Sequence, residues 1–415
     1  MNARRTTAAL LAALALGVPR AALAEALEVR VARLTVGGES QLPLSLLDAR
    51  VEDEGGAGAE LGLEDNATTG GFLGHEYALE RVALEPAADG TGARGIGGTT
   101  PVADPADAAA AAAALAERGV RLIVADLGAE ALLAVADAVP DSLVINARSE
   151  DDALRDADCR ANLFHTVPSR AMRTDALAQY LAVKRWDEVA LVVGRHAGDA
   201  AFADAFERAA GRFGLDVVER RAWTREPGAR RTDSGHVTEQ SEIPTFTRFD
   251  DHDVLVVADE GDEFGEYLAY RTERPRPVAG TQGLVPTAWS RVHEQWGATQ
   301  IQRRFEALAG RPMGVRDQGA WLAMRAIGEA VTRANDASPD AVAERLLAED
   351  FALAGFKGVP LSFRPWNGQL RQPVLLAGER MLVSVSPQEG YLHERSELDT
   401  LGLDRPESAC EAFAG

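Results

Sequence analysis

The sequence predicts an α/β protein made of two doubly wound parallel-sheet lobes. Three observations carry this expectation. Short, near-continuous runs of Val, Ile, Leu and Ala recur along the chain, as strands buried on both faces of a parallel sheet require. Helix-period segments alternate with them, which points to doubly wound layers rather than a helical bundle or a sandwich. The length of 415 residues suits two domains of ordinary size.

Taken in order, the chain begins with Arg4 and Arg5, an apolar run from Ala8 to Val18, and the small-x-small site Ala22-Leu23-Ala24 ahead of Glu25. This is the pattern of a cleaved secretory signal peptide over 1–24, with a buried N-terminal helix as the alternative. The run is too short for a permanent membrane anchor. Its removal takes away Arg4, Arg5 and Arg20, so the mature chain is three units more negative than the formal −21. Such an acidic chain does not bind nucleic acid or anionic lipid by default.

The first strand is expected over Val29–Val36. The next is Arg121-Leu-Ile-Val-Ala125, after a helix from Asp104 to Arg118 whose alanine run is plainly helical. Ser142-Leu-Val-Ile145 follows a helix over Ala129–Ala138. Val189-Ala-Leu-Val-Val193 follows one over Met172–Lys184. Val254-Leu-Val-Val-Ala258 and Pro277-Val-Ala279 complete the series, with a helix over Phe264–Thr272 between them. Acidic, Gly-rich Glu52–Ala59 reads as a surface loop. Arg225–Asp253 reads as a partly flexible insertion, since a loop that long is functional or mobile. Helices over Gly319–Arg333 and Asp340–Leu347 and a hairpin region through Gly368–Val385 close the chain.

Polar residues recur at the strand ends: Asp126; Asn146 with Arg148 and Ser149; Arg195 and His196; Asp259 and Glu260; Thr281 and Gln282. Ligands of open parallel sheets bind outside the carboxyl ends of the strands, so the series predicts one shared cleft. Asp126 has a second reading as the N-cap of the helix starting near Ala129. His165 has a second reading as a packed or solvated histidine. Asp259, Glu260, Asp262 and Glu263 form the densest carboxylate group. Hard cations take several oxygen ligands, so calcium or a lanthanide is one reading. The calcium-loop spacing is absent, however, and a solvated helix N-terminus is the other reading. Cys159 and Cys410 are the only cysteines. In an oxidising compartment they form one disulfide or stay as two buried thiols. No nucleophile elbow, zinc-protease helix, phosphate loop or redox dithiol is present, so no enzyme is expected.

Three segments resemble the type I periplasmic binding proteins, the leucine/isoleucine/valine-binding class of ABC transporter receptors. They are Arg121–Gly128, Arg185–Val193, and Gly355–Phe363 followed by Trp366-Asn367-Gly368-Gln369-Leu370. Asp65–Gly74, Val257–Gly265 and Gly283–Trp289 resemble a branch encoded with PQQ-dependent alcohol dehydrogenase systems. The resemblance implies periplasmic location, an ABC permease as partner and a link to alcohol oxidation; a metal-scavenging receptor and a non-transport periplasmic sensor or accessory protein are the alternative readings, and a monomer without a cofactor, other than a bound calcium or lanthanide in the metal reading, is expected. The resemblance also implies lobes joined by a three-crossover hinge: 25–165 with 284–354, and 166–283 with 355–415. In that class a hydroxyl residue and backbone N–H groups hold a ligand carboxylate, and an acid holds its ammonium. Ser149 fits the first role. Arg148 replaces a small residue and Gln282 replaces an acid, so the resemblance does not imply a plain amino acid.

Overall fold

The computed structural model describes residues 26–37, 51, 53–87, 94–95, 98–99, 102–224 and 243–413. The expected signal peptide at 1–24 and most of the expected insertion, 225–242, lie outside them. Strand β1 (Leu27–Val36) runs parallel to β2 (His75–Leu84) on one side and to β5 (Leu122–Asp126) on the other. With β6 (Leu143–Asn146) and β7 (Leu163–His165) they form a parallel sheet ordered β2-β1-β5-β6-β7. A short hairpin, β3 (Arg94–Gly95) and β4 (Gly98–Thr99), lies between β2 and the helix α2. Every residue of β5 and β6 is buried, as central parallel strands covered on both faces should be.

Helices α1 (Gly56–Leu73), α2 (Pro105–Glu117) and α3 (Ala129–Ala138) flank this sheet. Asp104 caps α2 by accepting the N–H of Ala106 at 2.8 Å, with Pro105 at the first helical position. The expectation of a loop over Glu52–Ala59 is corrected, because α1 starts at Gly56 and buries Gly58 and Ala59. The glycine reflects close packing rather than a turn. A Cβ on Gly58 would lie 1.9 Å from the backbone oxygen of Asp317, on the helix Val315–Ala334.

The second sheet is ordered β11-β10-β8-β9, again parallel: β8 (Glu188–Val193), β9 (Asp216–Ala222), β10 (Val254–Ala258) and β11 (Val278–Gly280). Helices α4 (Arg170–Lys184) and α5 (Ala197–Phe213) pack on it, burying Phe202 and Phe206 completely. Full burial of side chains that size stabilises by roughly 1.5–3 kcal/mol each. Ile243 and Phe249, at the end of the expected insertion, are also core residues of this lobe.

The lobe boundaries differ from the expected ones. β12 (Val285–Thr287) pairs with β16 (Val374–Ala377), which pairs with β17 (Leu382–Ser386), so 284–287 belongs to the second lobe. β13 (Leu353–Ala354) pairs with β14 (Pro360–Phe363), and β14 with β15 (Leu370–Arg371). This pairing holds 355–371 on the first lobe, where Leu361, Phe363 and Leu370 share a core with Phe164 and Trp321. Val374, Leu376 and Leu401 then join the second core. The chain therefore crosses near 166, 288 and 372. It returns once more at its end: Cys410 is disulfide-bonded to Cys159 across a Cα–Cα distance of 5.6 Å, and Phe413 packs edge-on against Phe164. No helix among the described residues is long and apolar enough to cross a membrane.

Candidate functional site: the interlobe cleft

The carboxyl ends of β6, β10 and β11 open onto a cavity of about 870 Å³ between the lobes. The first lobe contributes Gly128, Ala129, Arg148, Ser149, Glu150, Arg311 and Arg316 to its wall. The second contributes Arg170, Arg173, Asp259, Glu260, Asp262, Thr281, Gln282 and Thr287.

On the first wall, Asn146 sets the geometry without reaching the cleft. Its fully buried amide oxygen accepts the N–H groups of Arg148 at 3.0 Å and Ser149 at 2.8 Å, and its Nδ2 donates to the Ser149 carbonyl at 2.7 Å. This local bracket turns the chain so that residues 147–149 line the cavity. Burial pulls the Arg148 guanidinium down to about 10, and the like charge of Arg316 adds to it, while Asp126 and Glu54 oppose the shift. Helix α3 begins at the same wall. Gly128 is its N-cap residue and supplies no side-chain acceptor, so the first N–H groups of α3 keep no side-chain cap.

Asp126 takes neither role expected of it. It is buried beneath the wall, where its Oδ2 accepts from Arg33 at 3.0 Å and from Thr35 at 3.5 Å. His165 is also fully buried, with Nδ1 3.1 Å from the Asn146 amide nitrogen. Burial, reinforced by nearby Arg155, holds its imidazole well below the ordinary range, so it serves as a neutral packing group.

The second wall is built on the start of α4, capped by Ser169. Arg170 grips Glu260 bidentately, with Nε at 3.0 and 3.2 Å and Nη2 at 2.7 Å from its oxygens. Burial works against the Arg170 charge, but Glu260 more than offsets it and holds the guanidinium above its ordinary range. Arg173 pairs with Glu150 of the opposite lobe and donates to the Pro286 carbonyl at 2.9 Å. Asp262 sits in the left-handed region at φ 53° and accepts from Gln282 Nε2 at 2.6 Å.

The expected cation site at Asp259, Glu260, Asp262 and Glu263 is not assembled. Asp259 accepts the N–H groups of Glu263, Phe264 and Gly265 at 2.7–2.9 Å. Glu260 holds Arg170, while Glu263 holds Arg195 at 3.1 Å and His196 at 2.9 Å. Four neighbouring carboxylates thus turn towards different partners. Among the described residues, no three His, Cys, Asp or Glu side chains gather as a metal site.

The cleft therefore unites Arg148, Ser149, Asp259, Glu260 and Gln282 from the expected set. Asp126, Asn146, His165 and Arg195 do not line it. Sequence reasoning missed Arg170, Arg173, Arg311 and Arg316. The first two carry a readable signal: they stand three apart in the first turn of α4, directly after the first crossover, and so share a helix face.

Residues 101–226 match the family model described as periplasmic binding protein. No curated protein matches the chain. Solved structures of similar fold include a branched chain amino acid ABC transporter periplasmic ligand-binding protein from Burkholderia xenovorans LB400. It is 14% identical with a TM-score of 0.68, covering 93% of this chain and 100% of that one. A leucine-, isoleucine-, valine-, threonine- and alanine-binding protein from Brucella ovis, in its closed conformation, is 14% identical with a TM-score of 0.63. That match covers 87% of this chain and 95% of the other. A solute binding protein of an ABC transporter from R. palustris, in complex with benzoate, is 13% identical with a TM-score of 0.61. It covers 92% of this chain and 99% of that one. At these identities the likeness is one of fold: two parallel-sheet lobes of the type I periplasmic binding protein kind.

Proposed function

We propose that this chain is the extracytoplasmic capture component of an ABC-type transport system and closes its two lobes on a small solute. The observation that carries the reading is the interlobe cavity of about 870 Å³, walled by strand ends and helix starts of both lobes. That is the size and position of a small-molecule site at a domain interface. The match of 101–226 to the periplasmic binding protein model supports the compartment, and an ABC permease is the partner that follows from it. The link to PQQ-dependent alcohol oxidation is a finer part of the proposal. It draws on Val257–Gly265 and Gly283–Trp289, which contribute Asp259, Glu260, Asp262 and Thr287 to the cleft. The calcium or lanthanide alternative loses its structural support, because its carboxylates already have other partners.

The test is a thermal-shift panel of alcohols, carboxylic acids, amino acids, PQQ, calcium and a lanthanide, since a ligand stabilises the state that binds it. A binder should also make the protein more compact in solution scattering, as hinge closure requires. A panel with no stabilising member, or binding with an unchanged scattering profile, contradicts capture by closure. Arg148→Ala should weaken binding of the best carboxylate roughly 10-fold or more, the scale of a lost charged hydrogen bond. Unchanged titration calorimetry would place the solute away from Arg148.

A further inference from the structure

Resting on the capture reading above, we infer that the start of α5 sets the second wall of the cleft from behind. Asp199 and Gly198 are the positioning residues: they place Glu260 where Arg170 grips it. Neither lines the cavity. Asp199 is fully buried, and its carboxylate ties two segments together. Oδ2 accepts the N–H of His196, the N-cap of its own helix, at 2.9 Å. Oδ1 accepts the N–H of Glu260 at 2.6 Å and that of Gly261 at 3.4 Å, just past the end of β10. Bonds from backbone N–H groups to an ionised carboxylate are roughly twice as strong as neutral ones, so the backbone of Glu260 is anchored to α5.

The turn beyond Glu260 is fixed as tightly. The N–H of Asp259 donates to Thr281 Oγ1 at 2.9 Å, and its carboxylate accepts the N–H groups of Glu263, Phe264 and Gly265. The N–H of Asp262 donates to the Asp259 carbonyl at 3.2 Å. With the two bonds to Asp199, every backbone N–H from Asp259 to Gly265 is held. Gly198 acts on the side chain instead. A Cβ added there would stand 2.7 Å from Glu260 Oε2. Glycine is disfavoured against alanine within a helix, so clearance is what this position supplies. In that clearance the carboxylate rests against α5, while Arg170 holds both its oxygens at 2.7–3.2 Å from the cleft side. Bidentate pairs depend on geometry, so a small displacement of Glu260 breaks the grip and leaves the Arg170 side chain without a fixed place on the wall.

The first arm of the experiment needs no solute. In an NMR spectrum of the arginine Nε–H groups of the oxidised mature protein, the Arg170 signal is identified by its loss in Arg170→Lys, and its exchange with water is timed. Gly198→Ala should keep the circular dichroism of the parent, since alanine suits a helix, because the atom it meets is the end of a flexible side chain. It should nevertheless speed Arg170 exchange about 10-fold or more, the scale of a lost charged hydrogen bond. Asp199→Asn should do the same from the backbone side, so a failure of either variant to fold leaves the other to decide. Asp204→Asn, on the same helix but paired with Arg220 at the surface, should change nothing. The second arm titrates, by calorimetry, the tightest binder among the alcohols, carboxylic acids, amino acids, PQQ and metal ions named above. Gly198→Ala should weaken it about 10-fold, again the scale of a lost charged hydrogen bond. An Arg170 signal that already exchanges fast in the parent, or that is unchanged in both variants, overturns this inference and leaves capture standing. So does faster exchange with unchanged affinity. If the parent binds no member of the panel, the capture reading falls and this role falls with it.

Discussion

Replacing Lys357 with Met should make the protein more stable than its parent at pH 6 and less stable at pH 10. Lys357 is almost fully buried, with Nζ donating to Gln372 Oε1 at 2.5 Å and to the Pro373 carbonyl at 3.3 Å, and among the described residues no carboxylate forms an ion pair with it. Burial alone lowers its amine from the ordinary 10.5 to about 7. Below pH 7 the amine is charged in both the folded and unfolded chain, and the fold bears the full desolvation cost. Between 7 and 10.5 the unfolded chain binds the proton that the folded chain has released, so parent stability rises with pH. At about 1.4 kcal/mol per pKa unit, the rise is on the order of 3–5 kcal/mol across that window. The Met variant lacks this rise. It instead leaves the Gln372 amide oxygen without its donor, a loss of about 1–3 kcal/mol at every pH. The two stability curves should therefore cross. His293, also lowered chiefly by burial, titrates below the window and does not blur the comparison. Urea unfolding of both proteins at pH 6, 8 and 10 measures this, and parallel curves would mean that Lys357 stays charged in the fold. The position makes the result informative. Gln372 Nε2 donates to the Thr166 carbonyl at 2.7 Å, so the lysine supports two of the interlobe crossings at once.

How much of this was legible beforehand depended on burial. β5, β8 and β10 were readable within a residue or two, because central parallel strands are apolar on both faces. β2 and β9 were not. They are edge strands with partly exposed faces, and sequences such as His75-Glu-Tyr-Ala-Leu-Glu-Arg-Val-Ala-Leu84 are too polar to stand out. α1 was hidden by glycines whose small size serves close helix packing, a reason invisible without the partner helix. In the site, strand-end position leads Arg148, Ser149, Glu260 and Gln282 to the cleft wall. It failed at Asp126 and His165, where the same position continues into the interior. It could not reveal that Arg170, 90 residues earlier in the sequence, would neutralise Glu260. Ion pairs between distant segments are set by tertiary packing, which residue periodicity does not encode.

Replacing Cys159 and Cys410 together with Ser should lower the unfolding free energy by about 2–5 kcal/mol. The bond spans 251 residues of sequence, so its loss frees a very large loop in the unfolded chain. In the folded state Cys159 is buried and the tail is also held by contacts of its own. Ser408 Oγ donates to the Arg155 carbonyl at 3.1 Å, and Phe413 packs against Phe164 beneath Gly368. The covalent link should dominate over these local contacts, because it alone restrains the unfolded chain. The expected result is a lower urea midpoint for the double variant, matched by the parent in strong reductant. If the midpoint is unchanged and only proteolysis at the tail speeds up, the tail frays locally and the bond does not restrain the global unfolded state. The same bond also bears on closure. Gly402 is fastened to the second lobe, its N–H donating to Asp175 of α4 at 2.7 Å. The few residues from there to Cys410 reach no more than roughly 27 Å even when fully extended. The tail is therefore a fourth, covalently closed connection between the lobes, and it caps how far they can part. Without ligand, the oxidised protein should have a smaller radius of gyration in solution scattering than the double Ser variant. Identical profiles would show that the three crossovers near 166, 288 and 372 alone set the opening.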